Sequence, residues 1–195
     1  TDAGVHAKSQ ILCLKVNNEL KNNFLNSFNS LISNQIKINK IQKVSKNFHP
    51  RFDAKSRVYK YFILNKTREL PFSENRVYFV NKNLNINDLN SVSRIFLGKN
   101  NFKNFSKLRP DQTPERTIAV SKWSFQNSRF IYTIEGNSFL HNMVKSIVGC
   151  QLAVIDKKIS IKDLESSLKS PFDKRHNFMV PSSGLYLSLI HISEP

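Results

Sequence analysis

The period of apolar positions changes several times along the chain, and each change marks an element. Residues Gln10 to Val16 are mostly apolar and follow the loop-like Asp2-Ala3-Gly4, which predicts a buried strand. From Glu19 to Ser33 the spacing becomes helical: Leu20, Phe24, Phe28, Leu31 and Ile32 share a face that would pack on that strand. Ile36, Ile38, Ile41 and Val44 predict a further strand before the His49-Pro50 break. Alternation is plainest from Ser56 to Leu64. Val58, Lys60, Phe62 and Leu64 point one way and Arg57, Tyr59, Tyr61 and Ile63 the other, which makes the second face aromatic and basic.

The second half reads as helices around a hairpin. Asn87 to Leu97 predicts a short helix with Leu89, Val92 and Phe96 on its buried side and Gly98 as its stop. Thr117 to Phe125 and Arg129 to Gly136 alternate around Gln126-Asn127-Ser128, an antiparallel hairpin. Asn137 or Ser138 caps a helix running from Phe139 to Ile155, on which His141 and Lys145, four residues apart, form a narrow polar stripe. Ser160 to Leu168 is a second short helix, and Gly184 to Leu187 begins a last strand. Hairpins and helices interleaved in this way predict an α+β architecture with a mostly antiparallel, mixed sheet flanked by helices. Asn47 to Asp53 is the natural domain junction, separating residues 1–50 from residues 51–187. The tail from residue 188 to residue 195 resembles the translation of a common sequencing-adapter read and is set aside, the alternative being a genuine apolar last strand.

Charge narrows the partner. The chain has 195 residues, 39% of them hydrophobic, enough for a core. Thirty Lys+Arg against 14 Asp+Glu give a formal charge of +16, spread among 15 Phe, 5 Tyr and 1 Trp rather than gathered in a tail. The positive field therefore belongs to the folded surface and points to a nucleic acid, against the plainer reading of general compositional bias. Cys13 and Cys150 lie far apart with no CxxC or Cys/His cluster, which suggests neither a disulfide framework nor a zinc site and fits a reducing cytoplasm. No apolar run approaches the roughly 18 residues of a membrane span.

Spacing alone leaves the chemistry open. Asp2 in a Gly-containing turn reads first as an Asx motif, the Arg57/Tyr59/Tyr61 face as cross-strand packing, and His141 with Lys145 as a solvated stripe. Several separated segments nevertheless resemble one family in the correct order. Thr1 to Ala7, TDAGVHA, resembles the signature of the tRNA pseudouridine synthase A family, in which the aspartate is the nucleophile and an arginine normally precedes the threonine. Arg51-Phe52-Asp53-Ala54 followed by Arg57-Val58-Tyr59-Lys60-Tyr61 is similar to the family's RF-x-A and R-x-Y-x-Y run, whose first tyrosine lies against the target base. Asn101 to Phe105 with Arg116-Thr117-Ile118, and Gly136 to Lys145, resemble its central and F-L-H-x-M-V-R segments, with Lys145 replacing the usual arginine. Ser183 to Leu187 resembles the closing strand, so the likeness runs from Thr1 to Leu187.

The resemblance implies the pseudouridine synthase fold with a catalytic cleft between two halves, and an isomerase acting on uridines in the anticodon stem-loop of tRNA. It implies no cofactor, because the reaction moves a base without redox change. Asp2 would be the nucleophile, Lys145 its basic partner, and Tyr59 the base platform and proton relay. Arg51, Arg57, Arg116 and His141 would contact the RNA, and the full protein would be a cytoplasmic homodimer. The chain also reads as lacking an opening segment, which leads to the expectation that the piece alone is catalytically silent. Two other classes compete: a non-catalytic basic RNA-binding protein or inactive paralogue, and an acid–base hydrolase built on Asp2 and His6, for which no second positioned carboxylate is present.

Overall fold

The computed structural model describes residues 1–17, 19–65, 73–169 and 177–192. Seven strands form one mixed sheet: β1 (His6–Ala7), β2 (Ala54–Asn65), β3 (Tyr78–Val80), β4 (Gly98–Asn101), β5 (Glu115–Gln126), β6 (Arg129–Gly136) and β7 (Leu185–Ile192). Their order is β1-β7-β2-β6-β5-β4. Both edges of β2 are occupied. β6 runs antiparallel along one edge, from Arg57↔Gly136 to Leu64↔Arg129. On the other, β7 pairs antiparallel with Ala54 to Tyr61, and the short β3 pairs parallel with Ile63 to Asn65. β1 lies parallel on the outer edge of β7.

The β5–β6 hairpin expected from the sequence is present. Its tip holds Asn127 and Ser128 at φ 50° and 60°, the paired left-handed residues of a turn whose twist matches the strands. One sheet face is covered by α2 (Ile86–Ser93) and α3 (Met143–Ile155), with α4 (Ile161–Lys169) beside them. Asn85 caps α2 by accepting from the amides of Asn87 and Asp88, and Leu89, Val92 and Phe96 are buried as the spacing predicts. The core joins Tyr61 and Ile63 of β2 and Tyr132 and Ile134 of β6 to Met143, Ile147 and Val148 of α3. Several of its polar atoms are paired, although Gln151 Nε2 and Ser146 Oγ are buried without a hydrogen-bond partner among the described residues. Trp123 Nε1 donates to Gln151 Oε1 at 2.7 Å, while the Tyr132 and Ser121 hydroxyls lie 2.7 Å apart.

α3 is buried from Met143 through Ala153, on its outer side as well as its sheet side. The cover is the segment leading into β7. It crosses so closely that a Cβ at Gly149 would stand 2.5 Å from the Phe178 carbonyl oxygen. The same segment is fastened to β2, where Tyr61 donates to the Pro181 carbonyl at 2.7 Å. It thereby brings Ser182 over the first turn of α3.

The N-terminal third departs from expectation. Gln10 to Val16 forms no strand, and Leu12 and Leu14 are each 77% exposed. An extended run becomes a buried strand only where an edge accepts its hydrogen bonds. The last such bond is Lys8 N–H to Leu187 O at 2.8 Å, after which this run has no partner strand among the described residues. Ile36 to Val44 is likewise without strand pairing, with Ile36 and Ile41 exposed. The helix predicted over Glu19 to Ser33 contracts to α1 (Phe24–Leu31), which buries none of its residues. Helical period was present, but among the described residues its apolar face is only partly covered.

The helix expected from Phe139 begins at Met143, because Asn142 takes φ 65° and closes the preceding turn. His141 thus lies ahead of the helix and not on a stripe with Lys145. β7 continues through Ile192, so residues 189–192, part of the tail set aside above, pair with Ala54 to Val58. β3 and β4 were not anticipated. They are three and four residues long, too short for a period to register. No helix among the described residues is long and apolar enough to cross a membrane.

Candidate active site

Asp2 is carried by a tight turn rather than by a strand. Val5 N–H donates to the Asp2 carbonyl at 3.1 Å, and Gly4 supplies the left-handed conformation at φ 76°, close to Ser182. The turn is anchored downstream, where β1 pairs with β7 and the His6 ring stacks on Tyr186 at 4.4 Å between centroids. His6 Nε2 lies 2.8 Å from the Asn75 carbonyl oxygen, so this histidine fastens the loop at the sheet edge and does not line the pocket around Asp2.

Two basic side chains meet the Asp2 carboxylate. Oδ2 lies 3.6 Å from Lys145 Nζ and Oδ1 lies 3.4 Å from His141 Nε2. Lys145 sits in the first turn of α3 and is only 8% exposed. Its ammonium also donates to Ser182 Oγ at 3.2 Å, so a nearly buried cation has two partners, as burial demands. The sequence reading paired Lys145 with Asp2 and treated His141 as an RNA contact; the structure brings both to the carboxylate.

Tyr59 projects from β2 into the same pocket, its ring edge-on to Phe139 with centroids 5.1 Å apart and planes at 79°. Burial pushes its hydroxyl above the usual phenol range; the neighbouring Arg57 charge opposes that shift and Asp2 adds to it. The phenol is therefore a protonated donor at neutral pH. The pocket holds about 310 Å³, and its lining includes Asp2, Arg51, Tyr59, Arg109, His141 and Lys145.

The arginines divide into two kinds. Arg57 donates to the Asn137 carbonyl at 2.8 Å and to the Arg51 carbonyl, tying the start of β2 to the segment after β6. Arg116 folds back onto the Thr113 and Glu115 carbonyls. Neither lines the pocket. Arg51 and Arg109 do, and among the described residues neither guanidinium has a hydrogen bond or ion pair. Arg109 and its neighbour Gln112 escaped the sequence reading. They stand on an aperiodic loop, and its link to the site is the Lys107–His141 bridge, a tertiary contact. Among the described residues no group of three or more His, Cys, Asp and Glu side chains is placed to hold a metal ion.

A carboxylate held by two basic groups, beside a protonated phenol and under a mixed sheet, is suited to nucleophilic or proton-transfer chemistry on a bound ring. Comparison with known proteins gives that chemistry a family. Residues 92–191 match the protein-family model for tRNA pseudouridine synthase. The chain is 40% identical over 194 residues to tRNA pseudouridine synthase A of Borrelia duttonii (strain Ly), an alignment covering 97% of this chain and 78% of that protein. It is 37% identical over 194 residues to the protein of the same name from Borreliella afzelii (strain PKo), covering 98% and 79%. The chain belongs to the tRNA pseudouridine synthase family. It is an isomerase, and the two non-enzymatic or hydrolytic readings are not favoured.

Proposed function

We propose that this pocket receives a uridine flipped out of the anticodon stem-loop of tRNA and rejoins its base to the sugar through carbon five, with Asp2 as the nucleophile. The observation that carries the reading is the Asp2 carboxylate held between Lys145 and His141 in one pocket with Tyr59. The bond between N1 and the sugar's C1′ breaks, a bond from C5 to C1′ forms, C5 loses its proton and N1 gains one. No electron is gained or lost overall. Asp2 attacks C1′ or the base's carbon six, or removes a sugar proton to give a glycal, and is regenerated in each case.

Flipping costs a few kcal/mol, and an aromatic ring beside the extruded base offsets part of that. Tyr59 supplies the ring. Because its hydroxyl stays protonated, it moves the C5 proton as a relay, accepting on oxygen while passing its own proton on, and not as a phenolate base. Lys145 holds the Asp2 carboxylate as a point charge. Arg51, whose guanidinium lies over the Phe52 ring, and Arg109 line the pocket without a hydrogen bond or ion pair among the described residues and are suited to the phosphates flanking the flipped nucleotide, whereas Arg57 and Arg116 serve the fold. A net charge of +16 favours the polyanionic partner, and the protein acts as a cytoplasmic homodimer, in keeping with its family resemblance.

The experiment is to incubate the complete gene product with unmodified tRNA and map pseudouridine. Conversion confined to the anticodon arm is the expected result. Unchanged uridine would return the protein to the binding class, and strand cleavage would return it to the hydrolase class.

A further inference from the structure

We infer that His141 is a positioning residue for Asp2: its imidazole and the Lys145 ammonium each take one carboxylate oxygen and together fix the plane of the nucleophile. The inference rests on the proposed role of Asp2. Lys145 alone does not aim that group. An ammonium is a compact charge without a directional fork, so one contact at 3.6 Å to Oδ2 sets a distance and leaves the carboxylate free to turn about it. The second contact, 3.4 Å from Oδ1 to His141 Nε2, removes that freedom. Two nitrogens at ion-pair distance from separate oxygens give the carboxylate two fixed points of attraction, as the two ends of a guanidinium would.

The backbone around His141 is built to hold the ring still. Lys107 N–H donates to the His141 carbonyl at 3.0 Å, bridging it to the loop that carries Arg109. Met143 N–H donates to the Leu140 carbonyl at 3.1 Å, and Asn142 takes the left-handed conformation between them. Leu140 and Met143 are buried on either side, so the corner is nailed into the core while the imidazole projects outward. His141 and Lys145 therefore approach the carboxylate from two consecutive pieces of backbone, the turn and the first turn of α3. The imidazole itself is 45% exposed and contributes little to core packing, which separates its effect on catalysis from any effect on folding.

To donate, Nε2 must carry a proton, which both the imidazolium and one neutral tautomer provide. A glutamine at this position places an amide nitrogen near the same point and donates likewise; phenylalanine keeps a ring and has no donor. The test is single-turnover pseudouridine formation at saturating enzyme, with tRNA affinity measured in parallel. His141→Ala is expected to slow the bound-state rate about tenfold to a hundredfold, the scale of a misplacement near 1 Å, with the dissociation constant for tRNA within about twofold of wild type. His141→Gln should recover most of the rate and His141→Phe should not.

A wild-type rate in His141→Ala would overturn the inference. So would a loss appearing only in affinity, which would make His141 an RNA contact. Asp2→Asn is run alongside: if it retains turnover, the nucleophile assignment fails and this inference with it, whereas an inactive Asp2→Asn with a fully active His141→Ala removes the positioning role alone.

Discussion

Residues 1–8 and the described residues between 10 and 47 lie close together in sequence, yet one stretch is built into the body of the protein and the other is not. The first is bonded through β1 to β7, stacks His6 on Tyr186, lays Val5 against the core and delivers Asp2 to Lys145. The second exposes Leu12, Leu14, Leu31 and Ile36 and carries a helix with no buried residue. Apolar periodicity is present in both. What separates them is an edge: β7 offers its backbone to β1 for two residues, and that short ladder, not any hydrophobic run, places the Asp2 carboxylate.

The largest expected effect tests the contrast in stability. Ile147→Ala, in the all-round burial of α3, should cost about 2–5 kcal/mol in chemical denaturation, and Leu14→Ala should change stability by less than about 0.5 kcal/mol. Equal losses would erase the distinction between the two stretches. Next comes the junction at the pocket. Tyr59→Phe keeps the ring against Phe139 and loses only the hydroxyl, so turnover should fall about a hundredfold with little loss of tRNA affinity, while Tyr59→Ala damages both. Wild-type turnover in the phenylalanine variant would take the proton relay away from Tyr59.

A smaller effect separates the arginines. Arg51→Ala or Arg109→Ala should weaken tRNA binding and lower the slope of log affinity against log salt by about 1 each, measured by filter retention. Arg57→Ala should instead lower the thermal midpoint, because its guanidinium ties backbone carbonyls of Arg51 and Asn137. A salt slope unchanged in Arg109→Ala would remove that side chain from the RNA path. The smallest signal is chemical. A thiol reagent should label exposed Cys13 in the native protein and spare Cys150, whose thiol is buried and pushed up to about 12 by desolvation. Rapid labelling of both would show that α3 opens.

Legibility in the sequence followed the same line. β2, the β5–β6 hairpin and α2 were readable because their alternation or helical period coincides with real burial, as at Tyr61, Ile63, Leu89 and Val92. Gln10 to Val16 was misread because composition reports an apolar run and not whether an edge awaits it. In the site, Asp2, Tyr59 and Lys145 were found through a resemblance rather than a spacing, and the structure gathers all three in one pocket. The meeting of His141 with Asp2, and Arg109 with the pocket, depends on a left-handed Asn142 and a bridge to Lys107. Neither leaves a periodic trace.

The Asp2 carboxylate is proposed to act in chemistry and not in binding. The most direct measurement is pseudouridine formation by Asp2→Asn, a change of one oxygen to an amide nitrogen, in the complete gene product at saturating tRNA. The expected result is a loss of turnover of at least about a thousandfold with tRNA affinity within about twofold of wild type. Turnover within tenfold of wild type would contradict it and remove Asp2 from the mechanism.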